Sequence, residues 1–167
     1  VEKIEQKVFL VEKAEKRELL IDTIRQSNVH QTLVFTRTKH GADRVARDLN
    51  RAGIQAKAIH GDKSQNQRQR ALEEFKACKI AVLVATDIAA RGIDINELPL
   101  VINFDLPNIP ETYVHRIGRT GRAGQEGTAI SFCDRSERPY LADIEKQIGK
   151  RIPLAGEIPH VEKENEH

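Results

Sequence analysis

Ala81-Val82-Leu83-Val84-Ala85-Thr86-Asp87 runs from five apolar residues straight into a hydroxyl and a carboxylate. A short apolar run with no polar alternation is what a strand needs when both of its faces are covered. Thr32-Leu33-Val34-Phe35-Thr36 and Leu100-Val101-Ile102-Asn103-Phe104 repeat the pattern. Lys7 to Val11, Ala56 to Ile59 and Thr128 to Phe132 are further strand-length segments. Between them lie stretches of helical period. Lys16 to Ile24 turns Leu19, Leu20, Ile21 and Ile24 inward, and the stripe Ala42, Val45, Ala46, Leu49 and Ala52 stops at Gly53. Ser64 and Gln67 have capping-box spacing ahead of Ala71, Leu72 and Phe75. Pro110 suits a first helical position, and residues from about 137 to 148 form a closing helix. This alternation predicts an open α/β domain whose mostly parallel central sheet carries helices on both faces, with 81–85 near its centre.

The 167 residues suffice for one domain with a sizeable core, expected over 1–152, with 153–167 reading as a tail or linker start. The abrupt start at Val1 is expected of a domain excised from a longer chain. No apolar run approaches membrane-spanning length and no signal peptide opens the chain, so a cytoplasmic, membrane-free protein is expected. Cys78 and Cys133 lack spaced Cys/His companions, which predicts reduced, half-buried packing residues and no metal site. With five Phe, two Tyr and no Trp there is little for bases to stack on. A net charge of +2 does not announce a nucleic-acid binder, yet arginines cluster at 116, 119 and 122 with outliers at 68, 70 and 91. Any nucleic acid would be gripped by its sugar-phosphate backbone.

Ligands of such sheets sit outside the carboxyl ends of the strands, and the polar segments of this chain all follow strands. His115-Arg116-Ile117-Gly118-Arg119-Thr120-Gly121-Arg122 sets three guanidiniums and one imidazole within eight residues, with two glycines for tight turning. Arginine forks fit phosphate oxygens in bidentate fashion, although a basic surface loop has the same composition. Thr86 offers a hydroxyl and an N–H at a strand end; Asp87 suits a helix N-cap. Gly92 permits close backbone approach, and Asp94 suits either a ribose hydroxyl or a turn bonded to its own backbone. His60-Gly61-Asp62 with Gln65 and Arg68 joins a tight loop to a helix N-terminus, which attracts anions but is also simply a capped helix.

Taken in order, these segments resemble the C-terminal RecA-like domain of DEAD-box RNA helicases over roughly residues 5 to 150, with the bacterial short-core type the nearest likeness. Leu33 to Lys39 is similar to motif IV, His60-Gly61-Asp62 with Gln65 and Arg68 to motif IVa, Ala85 to Asp94 to motif V, and His115 to Arg122 to motif VI. The resemblance implies that Arg119 and Arg122 are arginine fingers aimed at the γ-phosphate of ATP, with Asp94 and Gly92 at the nucleotide and Asp94 on its ribose. It implies that Thr38, Gly61, Arg68 and Thr86 hold a single RNA strand by its phosphates, and that Arg91, His115 and Arg116 couple ATP closure to that grip.

No Gly-x-x-x-x-Gly-Lys-Ser/Thr loop, Asp-Glu-Ala-Asp or Ser-Ala-Thr occurs; Gly61-Asp62-Lys63-Ser64 is only an echo of the first. In the family these lie on the N-terminal RecA-like domain. The chain therefore reads as the C-terminal half of an ATP-dependent RNA helicase, inactive as an ATPase alone. Its expected partners are that N-terminal domain and single-stranded or duplex RNA, and the domain is expected to be monomeric. ATP and Mg2+ would serve the complete enzyme, with the metal held mainly by the other half. Two other readings stand beside this one: a non-catalytic RNA or protein docking module, and the equivalent half of a DNA-dependent superfamily 2 helicase. A flavodoxin-like nucleotide binder would need a phosphate-cradling loop that the sequence lacks.

Overall fold

The expected strands each find partners on both sides or close an edge, and every pairing is parallel. The computed structural model describes residues 4–121 and 126–155. Its elements follow one another as β1 (Ile4–Leu10), α1 (Lys16–Ser27), β2 (Thr32–Phe35), α2 (Lys39–Arg51), β3 (Ala56–Ile59) and α3 (Gln65–Lys76). β4 (Val82–Ala85), α4 (Asp87–Arg91), β5 (Leu100–Asn103), α5 (Pro110–Ile117), β6 (Gly127–Cys133) and α6 (Arg138–Ile148) complete them. The strands lie in the order β1-β6-β5-β2-β4-β3. The run 81–85 is not the central strand. β2 and β5 hold the middle, while β4 lies between β2 and β3. Apolarity could not distinguish these positions, because β2, β4 and β5 are each buried along their whole length.

Side chains alternate across the sheet as strand geometry demands. Val34, Val82, Val84, Leu100 and Ile102 face α1 and α2, meeting Leu20, Ile24, Val45 and Leu49. Leu33, Phe35, Leu83 and Val101 point the other way, against Leu72 and Phe75 of α3 and Ala89 and Ala90 of α4. On that same side Tyr113 and Ile117 of α5 and Ile144 of α6 cover Val8 of β1 and Ala129 of β6.

Local chemistry sets the boundaries. α3 opens with the capping box read from Ser64 and Gln67, and Pro110 is the first residue of α5. Gly53 takes a positive φ of 85° just past α2, as a C-terminal glycine should. The cysteines differ from expectation: Cys133 is buried, but Cys78 is exposed in the turn after α3 with a φ of 58°. The expected tail begins at Pro153, and its first residues still lie along the outer edge of β1. Val8 donates to Pro153 O at 3.0 Å and Ala155 donates to Val8 O at 2.8 Å, so both backbone groups of Val8 are satisfied. The rest of that segment, 156–167, lies outside the described residues.

Candidate nucleotide and nucleic-acid site

β4 ends at Ala85 and β5 at Asn103, which delivers the Thr86–Asp94 and His115–Arg119 segments to one edge of the sheet. Asp87 is the first helical residue of α4, and Thr86 holds the cap position without a side-chain capping bond. The Asp87 carboxylate accepts two hydrogen bonds from the buried Arg116, from Nε at 2.7 Å and from an η nitrogen at 2.8 Å. The other η nitrogen of Arg116 donates to Asn103 Oδ1 at 3.1 Å and to Asp105 O at 2.6 Å, and the guanidinium lies 5.0 Å from the Phe35 ring centre. An arginine this buried is retained only when charge and donors are matched, and here they are. Arg116 thus locks α5 to α4 rather than reaching for a ligand.

Arg119 continues the same joint. Its guanidinium donates to Ala90 O at 2.7 Å, Ile93 O at 3.1 Å and Ile95 O at 3.2 Å, while Leu98 N donates to Arg119 O at 3.0 Å. Arg119 therefore grips the carbonyls of the loop that carries Gly92 and Asp94. Thr120 anchors the turn through a hydroxyl bond to Leu98 O, and Gly121 adopts a φ of 67°. Gly118 stays helical at φ −65°, so of the two glycines only Gly121 uses the left-handed region. Asp87, Arg91, Thr112, His115, Arg116 and Arg119 line one shallow hollow of about 50 Å³. Arg91 and His115 are exposed at its rim. Asp94 is exposed too, its Oδ1 accepting from Asn96 Nδ2 at 3.1 Å, and among the described residues its side chain makes no backbone bond of the kind a simple turn would show. Arg122 lies outside the described residues.

The second group of expected residues lies beside this one, after β2 and β3. Thr38 caps α2, its hydroxyl oxygen accepting from Gly41 N at 3.0 Å, which leaves the hydroxyl proton to donate elsewhere. Gly61 follows the buried His60, whose Nδ1 accepts the Asp62 N–H at 3.2 Å and whose Nε2 lies 2.9 Å from Asp43. Lys63 also reaches Asp43, at 3.3 Å. Burial alone would raise the Asp43 carboxyl, but the hydrogen bonds and charges of His60 and Lys63 outweigh it and hold it below the ordinary range. Arg68 stands one turn into α3 and is half-buried. A Cβ added at Gly61 or at Gly92 would meet open space, and neither glycine has a positive φ. The fold does not need glycine at either place. Gly127 differs, since a Cβ there would overlap Thr120 Oγ1 and Gly121 N.

Sequence reasoning missed what holds the motif IV segment. Lys16 is buried at the start of α1, with Nζ 2.7 Å from Glu137 and 3.4 Å from both Asp105 and Asp134. Glu137 also accepts from Arg37 at 2.8 Å, Leu106 N at 2.8 Å and Asp134 N at 3.0 Å. Asp105 in turn accepts the backbone N–H of Arg37 at 2.9 Å. For Asp134, burial raises the carboxyl, but the Ser136 hydrogen bond and Lys16 prevail and hold it below the usual value. Burial, then the charges of Glu137 and Asp134, push the Cys133 thiol up to about 11, which leaves it an unreactive packing group. The Asp134–Glu137 spacing repeats that of Ser64 and Gln67, and both form capping boxes. That spacing was the available signal.

The family of the helicase conserved C-terminal domain matches residues 15–124. The ATP-dependent RNA helicase CshA of Listeria monocytogenes is 46% identical over 149 residues, which cover 89% of this chain and 29% of that protein. The ATP-dependent RNA helicase DbpA of Bacillus subtilis is also 46% identical over 149 residues, covering 89% of this chain and 31% of its own. The chain thus spans about a third of the length of these curated relatives. Among solved structures, a DEAD box protein from the hyperthermophile Methanococcus jannaschii is similar at a TM-score of 0.87 and 43% identity, over 93% of this chain and 42% of that one. The C-terminal domain of the DEAD-box protein Dbp5 gives a TM-score of 0.80 and 34% identity, over 90% and 91%. Fold, motif placement and these likenesses agree: the chain belongs to the helicase conserved C-terminal domain family, as the C-terminal RecA-like domain of a DEAD-box helicase.

Proposed function

We propose that this domain is the C-terminal half of an ATP-dependent RNA helicase and works only against an N-terminal RecA-like domain. The observation that carries the reading is the shared hollow. Arg91, His115, Arg116 and Arg119 meet there, beside an exposed Asp94 and on the same sheet edge as Thr38, Gly61, Arg68 and Thr86. Asp94 and the open space at Gly92 fit a ribose approaching the loop. No phosphate-loop sequence is present, so the chain contributes to one side of an ATP site whose phosphates and Mg2+ belong to the other half.

Arg119 and Arg122 act as fingers toward the γ-phosphate. Arg119 must exchange three carbonyl partners for phosphate oxygens, and the full negative charge and bidentate fit of the phosphate favour that exchange. The exchange frees Ala90, Ile93 and Ile95 carbonyls, so nucleotide capture loosens the loop that follows Thr86. Through Arg116 and Asp87 the same joint reaches the start of α4, where Thr86 holds an RNA phosphate. Thr38, Gly61 and Arg68 hold the neighbouring phosphates. A strand bent to follow this edge cannot stay in a duplex, and closure of the two halves separates base pairs locally.

The test is ATP hydrolysis by this chain and by its two-domain parent, each with and without single-stranded RNA. Silence from the chain and RNA-stimulated turnover by the parent are expected. Turnover by the chain alone would refute the half-site. A parent stimulated by DNA rather than RNA would assign it to the DNA-dependent relatives, and a silent parent would make the domain a docking module.

A further inference from the structure

The free edge of the sheet beyond β3 is a second basic surface, apart from the residues placed at the carboxyl edge. β3 pairs only with β4. On one side of it Lys57, Lys63 and Arg70 line a hollow of about 310 Å³ between β3 and α3. On the other, Arg47, Arg51, Lys57 and Lys63 line an open trough of about 670 Å³ against α2. The two hollows share Lys57, Ala58 and Lys63, so they form one continuous band around the strand. Five cations line this band against two carboxylates, Asp43 and Glu74, while the whole chain carries only +2. The band is therefore locally cationic although the chain as a whole is nearly balanced.

Arg47, Arg51, Lys57 and Arg70 are all exposed, and none of their side chains makes a hydrogen bond or ion pair among the described residues. Lys63 of the band is bound to Asp43, and of the carboxyl-edge cations Lys39 is bound to Asp62 and Arg116 to Asp87. A lysine on an edge strand protects that edge against strand addition. That role covers Lys57 and leaves the three arginines on α2 and α3 unaccounted for. The edge is, moreover, already blocked at Ala56, whose N–H and carbonyl are both taken by the Asn50 side chain at 3.0 Å. A partner that binds here is therefore not an added strand.

We propose that this band binds the phosphate backbone of RNA flanking the strand held at the carboxyl edge. Lys63 is the link: it follows the Gly61 loop directly in sequence and lines both hollows. RNA leaving Gly61 and Arg68 would pass along β3, with its phosphates met in turn by Lys57, then Arg70 on one side or Arg47 and Arg51 on the other. The shortage of aromatic residues suits backbone contact without base reading. This inference rests on the RNA reading above.

The test compares oligouridines of about five and about twelve nucleotides binding to this chain at low ionic strength, by fluorescence anisotropy. The longer RNA is expected to bind at least about tenfold tighter, and its log K to fall more steeply with log salt, by about 0.7 per added phosphate contact. The variant R47Q/R51Q/K57Q/R70Q should bind the short RNA as the unaltered chain does and lose the advantage of length. R47K/R51K/R70K should keep it. A glutamine variant that retains the full advantage and salt slope overturns the proposal. So does one that loses binding of an oligoglutamate peptide while its RNA length dependence is unchanged, which would make the band a protein-docking surface. Failure of the unaltered chain to bind either RNA would remove the RNA reading itself, a result distinct from a flank that adds nothing.

Discussion

Replacing Lys16 by Met removes one charge from the most enclosed ionic cluster of the domain and leaves most of its apolar stem in place. Lys16 Nζ lies 2.7 Å from Glu137 and 3.4 Å from Asp105 and Asp134, with side-chain exposures of 3% for the lysine and 1%, 22% and 8% for the three acids. The remaining cation, Arg37, reaches Glu137 at 2.8 Å but is 46% exposed, so solvent screens much of its effect. The variant therefore gathers three carboxylates around an apolar side chain. Breaking a buried pair costs about 3–5 kcal/mol. For a domain of this size that is a fall in Tm of about 6–20 °C.

The pH dependence has a definite sign. In the unaltered protein the folded pKa of Asp134 lies below its ordinary value of 3.8. Its contribution is complete above that value and is lost as pH falls through the lower folded one. Lys16 is among the groups that hold it down. Without the lysine, proton uptake relieves repulsion among the acids, so the deficit of K16M should shrink between about pH 7 and about pH 5 while the unaltered protein changes little. Urea unfolding followed by circular dichroism at the two pH values measures both quantities. A deficit below about 1 kcal/mol at neutral pH, or one identical at both, would refute the account of Lys16 as the central charge.

Three further outcomes are expected. In the two-domain parent, G61A and G92A should stay within about 0.5 kcal/mol of the unaltered stability, since a Cβ at either meets open space, while G61A weakens RNA binding and G92A lowers ATP turnover; a fall in melting temperature with unchanged binding would make these glycines structural. D87A should cost about 1–3 kcal/mol in chemical unfolding, less than a fully buried pair, because Asp87 is 31% exposed and Arg116 keeps Asn103 and the Asp105 carbonyl. In the two-domain parent, R122A should abolish ATP turnover with the fold intact, and R68A should weaken RNA binding with ATP affinity little changed. Near-normal turnover in R122A, or unaltered RNA affinity in R68A, would remove each from its assigned role.

What the chain reveals in sequence follows the distance over which the physics acts. Val34, Leu83 and Ile102 declare buried strands because burial on two faces is a property of each run. Ser64 with Gln67 declares a helix start because its bonds close within four residues. The order of strands is not local, which is why the most apolar run lies next to an edge strand instead of at the centre. The same limit separates the site residues. Asp94, Gly61 and Arg68 could each be read as a ligand group or as an ordinary turn or capped helix, and the structure leaves Asp94 and Gly61 exposed and Arg68 half-buried. Arg116 and Arg119 were legible as phosphate binders only by composition, and their present partners are Asp87, Asn103 and four carbonyls, all further back along the chain. Lys16 and Glu137, 121 residues apart, carried no sequence sign of each other.

That difference bears on how the domain works. A ligand group on a rim can be present whether or not the domain is engaged. A guanidinium bonded to the loop carbonyls of Ala90, Ile93 and Ile95 is a group whose partners must change when a phosphate arrives. Under the proposed function, the arginine that meets the nucleotide already has partners, whereas most of the groups assigned to RNA have few. Under that proposal the first arrangement would make binding alter the fold locally, and the second would let RNA bind a surface that is ready for it. Under that proposal, coupling between them would run through the joint of Arg116 on Asp87 beside Thr86.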